Sequence, residues 1–325
     1  MSLQRKRLSP ATAWIIAAAS LLVALSGVSL GVGVGNVFSG DAAANLDLVL
    51  SSRLPRTLAV VLTGASLAIA GLVMQSLVRN RFVDPMISGT GQSAALGILA
   101  ITILAPATSI FLKVLVASAA ACIGTALFLR LVRRLPPEDP YVVALFAIVY
   151  GGIIGALATA LAWHYDLLQF LDVWMSGEFS GIMRGRYEIL WLIAAVMVAA
   201  WWVADRLTIL SLGQATATGL GLDFKATLRV GLLIVSIVSG LTVATVGALP
   251  FVGLVVPASV ARLLGDDVRR AIPLVALGGA VLVLVSDICG RLIRFPYEIP
   301  AGTVMGVVGA AAFLLLIFNR SFRHV

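Results

Sequence analysis

The residues most able to do chemistry in this chain are charges set against apolar sequence. Asp287 follows the run Val281–Ser286 and stands four residues before Arg291. On a helix that spacing puts both on one face, within reach of an ion pair. Either the pair satisfies itself and fixes packing, or Arg291 presents its charge outward to a partner, and the two readings are compatible. Arg53-Leu54-Pro55-Arg56 opens an apolar segment with two arginines at i and i+3, and its proline suits a first helical turn. These arginines either anchor lipid phosphates or dock an acidic partner.

Catalytic constellations do not emerge. The three lysines, Lys6, Lys113 and Lys225, stand in no GxxxxGK[ST] phosphate loop, so ATP hydrolysis is expected on another chain. There is no HExxH. The one GxSxG match, Gly27-Val28-Ser29-Leu30-Gly31, closes an apolar segment where a nucleophile elbow needs a strand-to-helix turn. Gly31, Gly33 and Gly35 alternate beyond it and read as helix-end flexibility. Cys122 and Cys289 lack CxxC spacing and read as buried thiols. His164 and His324 have no second ligand at metal spacing, so no metal or cofactor is expected. Asp287 is the one plausible acid within an apolar run, which disfavours proton-coupled pumping.

The elements that carry these residues are apolar and long. Of 325 residues, 60% are hydrophobic and 12% charged, more apolar surface than a soluble core hides. The net charge of +8 is not gathered into a stripe or an aromatic-interleaved patch, which argues against nucleic acid. The fold class expected is all-α, a polytopic membrane protein with about ten transmembrane helices in one domain over residues 1–325. The spans are expected near 11–31, 54–78, 87–105, 110–131, 142–163, 188–204, 228–248, 251–264, 272–290 and 300–318. The first reads as a retained span, not a cleaved leader. The near-continuous apolar stretch 228–264 would reach roughly 55 Å as one helix, too long for a bilayer. Gly247, Pro250, Gly253 and Pro257 are expected to break it.

Charge orients the spans. With the N-terminus inside, 16 of 23 Lys and Arg fall on the cytoplasmic side, among them Arg5, Lys6, Arg7, Arg79, Arg81, Arg206, Arg269, Arg320 and Arg323. Seven remain outside: Arg53, Arg56, Lys113, Arg184, Arg186, Arg291 and Arg294. Both termini are then cytoplasmic. Two connecting stretches, 164–187 outside and 205–227 inside, are too long for turns and should hold short helices. In the second, Gly213, Gly219 and Gly221 permit close backbone approach, and Ala217 is expected to contact the ATPase.

Several separated motifs together resemble the permeases of iron-siderophore and vitamin B12 ABC importers. They are Arg53-Leu54-Pro55-Arg56-Thr57, Asn80-Arg81-Phe82-Val83-Asp84-Pro85, Trp174-Met175-Ser176-Gly177, Leu212-Gly213-Gln214, Phe251–Pro257, Gly265-Asp266-Asp267 and Tyr297–Gly302. The resemblance implies a ten-helix subunit of the cytoplasmic (inner) membrane that pairs with a second permease chain. It also implies an ATP-binding cassette ATPase and a periplasmic or lipid-anchored siderophore-binding protein. By position, Arg53, Arg56 and Arg291 match the arginines that receive acidic residues of the binding protein. Leu212, Gly213, Gln214, Ala217, Gly219 and Gly221 match the segment that sits on the ATPase. Ala258 and Gln214 depart from the family pattern, which often has His or Asn, and Glu, at those places. Pro257 to Arg262, with Phe295–Glu298, looks most like the catecholate-siderophore branch, which often pairs two sibling permeases. A secondary transporter is the alternative, as is the same permease role for haem or a cobalamin.

Overall fold

A computed structural model describes residues 10–33, 42–135, 140–185 and 187–318. Arg5, Lys6, Arg7, Gly35, Arg186, Arg320, Arg323 and His324 lie outside the described residues. Among the described residues the regular elements are all helical. They run α1 (Pro10–Gly31), α2 (Ala42–Leu48), α3 (Leu54–Val78), α4 (Thr90–Leu104), α5 (Ile110–Val132), α6 (Pro140–His164) and α7 (Leu168–Met175). Then come α8 (Trp191–Trp202), α9 (Ala204–Ser211), α10 (Gln214–Gly219), α11 (Phe224–Thr245), α12 (Val252–Leu264), α13 (Val268–Ile293) and α14 (Ala301–Phe318). Seven of the helical stretches are long and apolar enough to cross a membrane. The bent pair α8–α9 makes an eighth, and α4 and α12 are shorter apolar helices. Each of the ten expected spans overlaps one of these segments, seven of them long enough to cross by themselves; the one expected at 188–204 corresponds to α8, beyond which α9 bends away.

The central element is α3, buried on nearly every side against α11, α12 and α13. Sequence reading started it at Leu54, but the helix runs back through a π-turn, Val49–Arg53, to α2. Pro55 supplies the reason. Its missing N–H cannot bond the carbonyl of Ser51, which accepts from the N–H of Arg184 at 3.0 Å instead.

Backbones meet closely where glycines face each other. A Cβ on Gly64 would lie 2.4 Å from the carbonyl oxygen of Gly279, which sets the α3–α13 crossing. At Gly71 a Cβ would lie 2.0 Å from the Gly253 carbonyl oxygen, where α3 meets α12.

The expected break in 228–264 falls at residues 246–251, with Gly247 at φ +98° and Phe251 at φ +67°. Gly253 and Pro257 do not break the chain as expected; both lie inside α12. Pro257 has no N–H for the Gly253 carbonyl, and the Nε2 of Gln75 donates to that carbonyl at 3.2 Å. At 15 and 13 residues, α4 and α12 reach about 22 and 20 Å, short of the ~30 Å of a hydrocarbon core. Each is entered through irregular chain buried in protein, which a membrane tolerates where lipid is kept away.

The motif Trp174–Gly177 finds its place here. Gly177, at φ +68°, accepts from the N–H of Gly302 at 2.9 Å, while the N–H of Glu178 donates to Val246 at 2.8 Å. The connection after α7 thus ties the α11–α12 corner to the start of α14.

Candidate functional site: charged clusters at the two ends of the helix bundle

At one end, α1, α3 and α13 bring together the arginines singled out from sequence. Asp287 and Arg291, one helical turn apart on α13, are both buried, with Asp287 Oδ2 2.8 Å from Arg291 Nη2. That contact is off the hydrogen-bond direction, so it is ionic in character. Arg56 reaches across from α3 and donates to Asp287 Oδ1 from Nη2 at 2.8 Å and from Nε at 3.2 Å. Its Nη1 meets Glu298 at 2.8 Å. Two cations and two anions therefore close a network whose outer member, Glu298, is partly exposed.

The guanidinium groups of Arg53 and Arg291 also serve α1. The last carbonyls of a helix have no partner within it and carry the negative end of its dipole. Arg53 donates to Leu30 O at 2.7 Å and Gly31 O at 3.1 Å. Arg291 donates to Ser29 O at 3.1 Å, Val32 O at 3.0 Å and Ser29 Oγ at 2.7 Å. The Ser29 hydroxyl is in turn 2.9 Å from that of Thr57. Ser29, read from sequence as part of a chance GxSxG, is a buried hinge pin between α1, α3 and α13.

This corrects the expectation of an outward arginine triad. Arg53 is 7% exposed and Arg291 5%, and both are turned inward by the carbonyls they cap. Only Arg56 extends toward the end face, already paired. Arg294, counted in the sequence among the outer basic residues but given no role, is exposed at the C-terminal end of α13, 5.8 Å from the ring centre of Tyr297.

Sequence reading also missed Asp84. It is 1% exposed, and its Oδ1 accepts from the N–H of Met86 at 2.6 Å. Its Oδ2 lies beside Gly253 in the first turn of α12. The N-terminal end of a helix favours an anion, which accounts for a carboxylate buried there. Asp287 is thus not the sole acid at depth. The quoted motif Asn80–Pro85 contained the signal, but only the fold brings it to α12.

At the opposite end lies the stretch 205–227. After Trp202 the chain bends by 59° into α9, which is held to α13 by an ion pair between Asp205 and Arg269. Arg269 also covers the ring of Trp201 at 4.7 Å, and the N–H of Val268 donates to Thr208 Oγ1 at 3.1 Å. Gly213, at φ +100°, turns α9 into α10. Leu212, Gln214, Gly219 and Gly221 are exposed, and a Cβ on either of those last two glycines would meet open space. Ala217 is fully buried, contrary to its expected role as a contact residue. Its carbonyl accepts from the N–H of Leu222 at 2.9 Å, which closes the end of α10.

The relatives of this arrangement are known. Over 304 residues the chain is 38% identical to the petrobactin import system permease protein YclN of Bacillus subtilis, covering 92% of this chain and 96% of that one. It is 36% identical over 275 residues to the ferric-anguibactin transport system permease protein FatD of Vibrio anguillarum, covering 83% and 86%. It is 32% identical over 321 residues to the vitamin B12 import system permease protein BtuC of Salmonella typhi, covering 95% of each. The fold superposes with a TM-score of 0.79 on a solved metal-chelate type ABC transporter in an inward-facing conformation, at 22% identity and over 94% of this chain and 98% of that one. The profile of the FecCD transport family matches residues 12–319, and the chain belongs to that family.

Proposed function

We propose that this chain is the permease subunit of an ATP-driven importer and forms part of the path for a ferric siderophore. The observation that carries the reading is the match to import permeases along most of both chains, among them permeases of a petrobactin import system and a ferric-anguibactin transport system. In this reading residues 1–325 act as one transmembrane domain of the cytoplasmic membrane, with both termini in the cytoplasm. A separate ATP-binding cassette subunit hydrolyses ATP and seats on the α9–α10 end. A second permease chain, sibling or identical, completes the path. An external binding protein delivers the chelate to the Arg56 end.

The docking role passes mainly to Arg56, with the exposed Arg294 at the end of α13. Arg53 and Arg291 support it from behind by holding α1 in place. Because Glu298 already occupies one edge of Arg56, an acidic residue of the binding protein would compete with it. The exposed face of α10, with Gln214 and Leu220, is the ATPase contact, and Gln214 meets the ATPase without a charge.

Transport separates this reading from a secondary transporter, to which the short helices α4 and α12 and the buried Asp84 would also suit. Uptake of a labelled ferric siderophore should stop when ATP is depleted and continue when the proton gradient alone is collapsed. The reverse pattern would overturn the proposal. Parallel uptake assays with haem and a cobalamin identify the chelate class.

A further inference from the structure

Beside the α9–α10 turn a cavity of about 250 Å³ opens at the end face of the bundle. The last turn of α3, the α12–α13 corner and Ser211–Leu212 form its walls. Two arginines line it, in unequal circumstances. Arg81 is held by Asp266 at 2.6 Å. Arg79 is exposed, and its side chain makes no hydrogen bond or ion pair among the described residues.

The backbone sets the direction in which Arg79 leaves the helix. It ends α3 in the left-handed region, at φ +56° and ψ +40°, a conformation unusual for a residue with a side chain. Its guanidinium then lies against Gly213, where an added Cβ would come within 2.6 Å of Nη1 and where φ is already +100°. The positive φ favours glycine there, and the short contact falls on the mobile end of the Arg79 side chain. The result is a cation positioned at the mouth of a cavity, next to the exposed Leu212 and without its anion.

The size and position of the cavity identify what it takes. It is smaller than the ~300–1,000 Å³ typical of pockets for whole small-molecule ligands, but it holds one side chain. It lies at the C-terminal end of α3, the most buried of the long apolar helices. An arginine fixed in this way is one half of a planar, two-pronged pair with a carboxylate.

We propose that this cavity is a socket for an acidic side chain of the separate ATPase subunit, with Arg79 as its ion-pair partner and Leu212 packed on its stem. The socket rests on the reading of the α9–α10 end as the ATPase contact. Binding is measured between the ATPase subunit co-isolated with the parental chain and the permease in nanodiscs of zwitterionic lipid, at low and high salt. Arg79→Gln should weaken binding about 10-fold at low salt and flatten its salt dependence, whereas Arg79→Lys should keep most of the affinity. In the parental background, a photo-crosslinker at Leu212 should capture an ATPase peptide that contains Asp or Glu.

A parental chain that binds no ATPase subunit would overturn the functional reading, and the socket with it. Parental binding with undiminished affinity of Arg79→Gln would remove the socket alone. So would capture of lipid only at Leu212, or a loss in Arg79→Gln seen solely when anionic lipid is present, either of which would assign Arg79 to a headgroup.

Discussion

Arg53, Arg56 and Arg291 are alike in type and differ in what they touch. Arg53 caps α1, Arg291 caps α1 and pairs with Asp287, and Arg56 bridges Asp287 to Glu298. Arg53→Met should therefore lower stability by about 1 kcal/mol, the cost of uncapping two partly buried carbonyls, while leaving docking nearly unchanged. Thermal unfolding and binding-protein affinity, measured on the same preparation, separate the two effects. Arg291→Met strands Asp287 as well, and breaking a buried pair costs about 3–5 kcal/mol. The lower end applies because Arg56 still faces Asp287, and adding Asp287→Leu should recover much of the loss. Arg56→Glu should instead weaken docking about 10-fold at low salt, with the difference shrinking as salt screens the exposed edge. An unchanged affinity would leave Arg56 a structural residue. The i, i+4 spacing of Asp287 and Arg291 was legible in the sequence. The inward direction of Arg53 and Arg291 was not, because the carbonyls that turn them lie at the end of α1, more than 20 residues before Arg53.

Among the elements, α3 organises the rest, and its crossings tolerate little. Gly71→Ala puts a methyl 2.0 Å from the Gly253 carbonyl oxygen, so α3 and α12 must separate. Overpacking of that kind costs about 1–3 kcal/mol. The control is Gly306→Ala on α14, where a Cβ meets nothing within 4 Å; it should be neutral or stabilising by up to ~1 kcal/mol. Equal effects at the two sites, read by thermal unfolding in detergent, would contradict the crossing geometry. At the other end, a crosslinker at the exposed Leu220 should reach the ATPase, whereas one at the buried Ala217 should react only within the permease. The existence of α10 followed from a connection too long for a turn. Which of its residues face outward did not, since six residues give too short a pattern to define a buried face.

For the whole molecule, sidedness is the property to test first. Reporter fusions at Gly213 should read cytoplasmic and at Gly181 external; a fusion at Pro137, outside the described residues, should also read cytoplasmic. A cytoplasmic signal at Gly181 would remove the ten-span arrangement. Class and span positions were determined by the sequence alone, because lipid demands some twenty apolar residues per crossing and leaves charges to the connections. The break near Gly247 and Pro250 was equally readable, from a stretch too long for one helix. What only tertiary structure decided is which polar group answers which. Gln75 serves the carbonyl that Pro257 leaves open, Arg184 serves the one that Pro55 leaves open, and Asp84 sits at the start of α12. In a medium without water each backbone group needs a protein partner, and the partner is chosen by proximity in the folded bundle, across as many as 178 residues of sequence between Gln75 and Gly253.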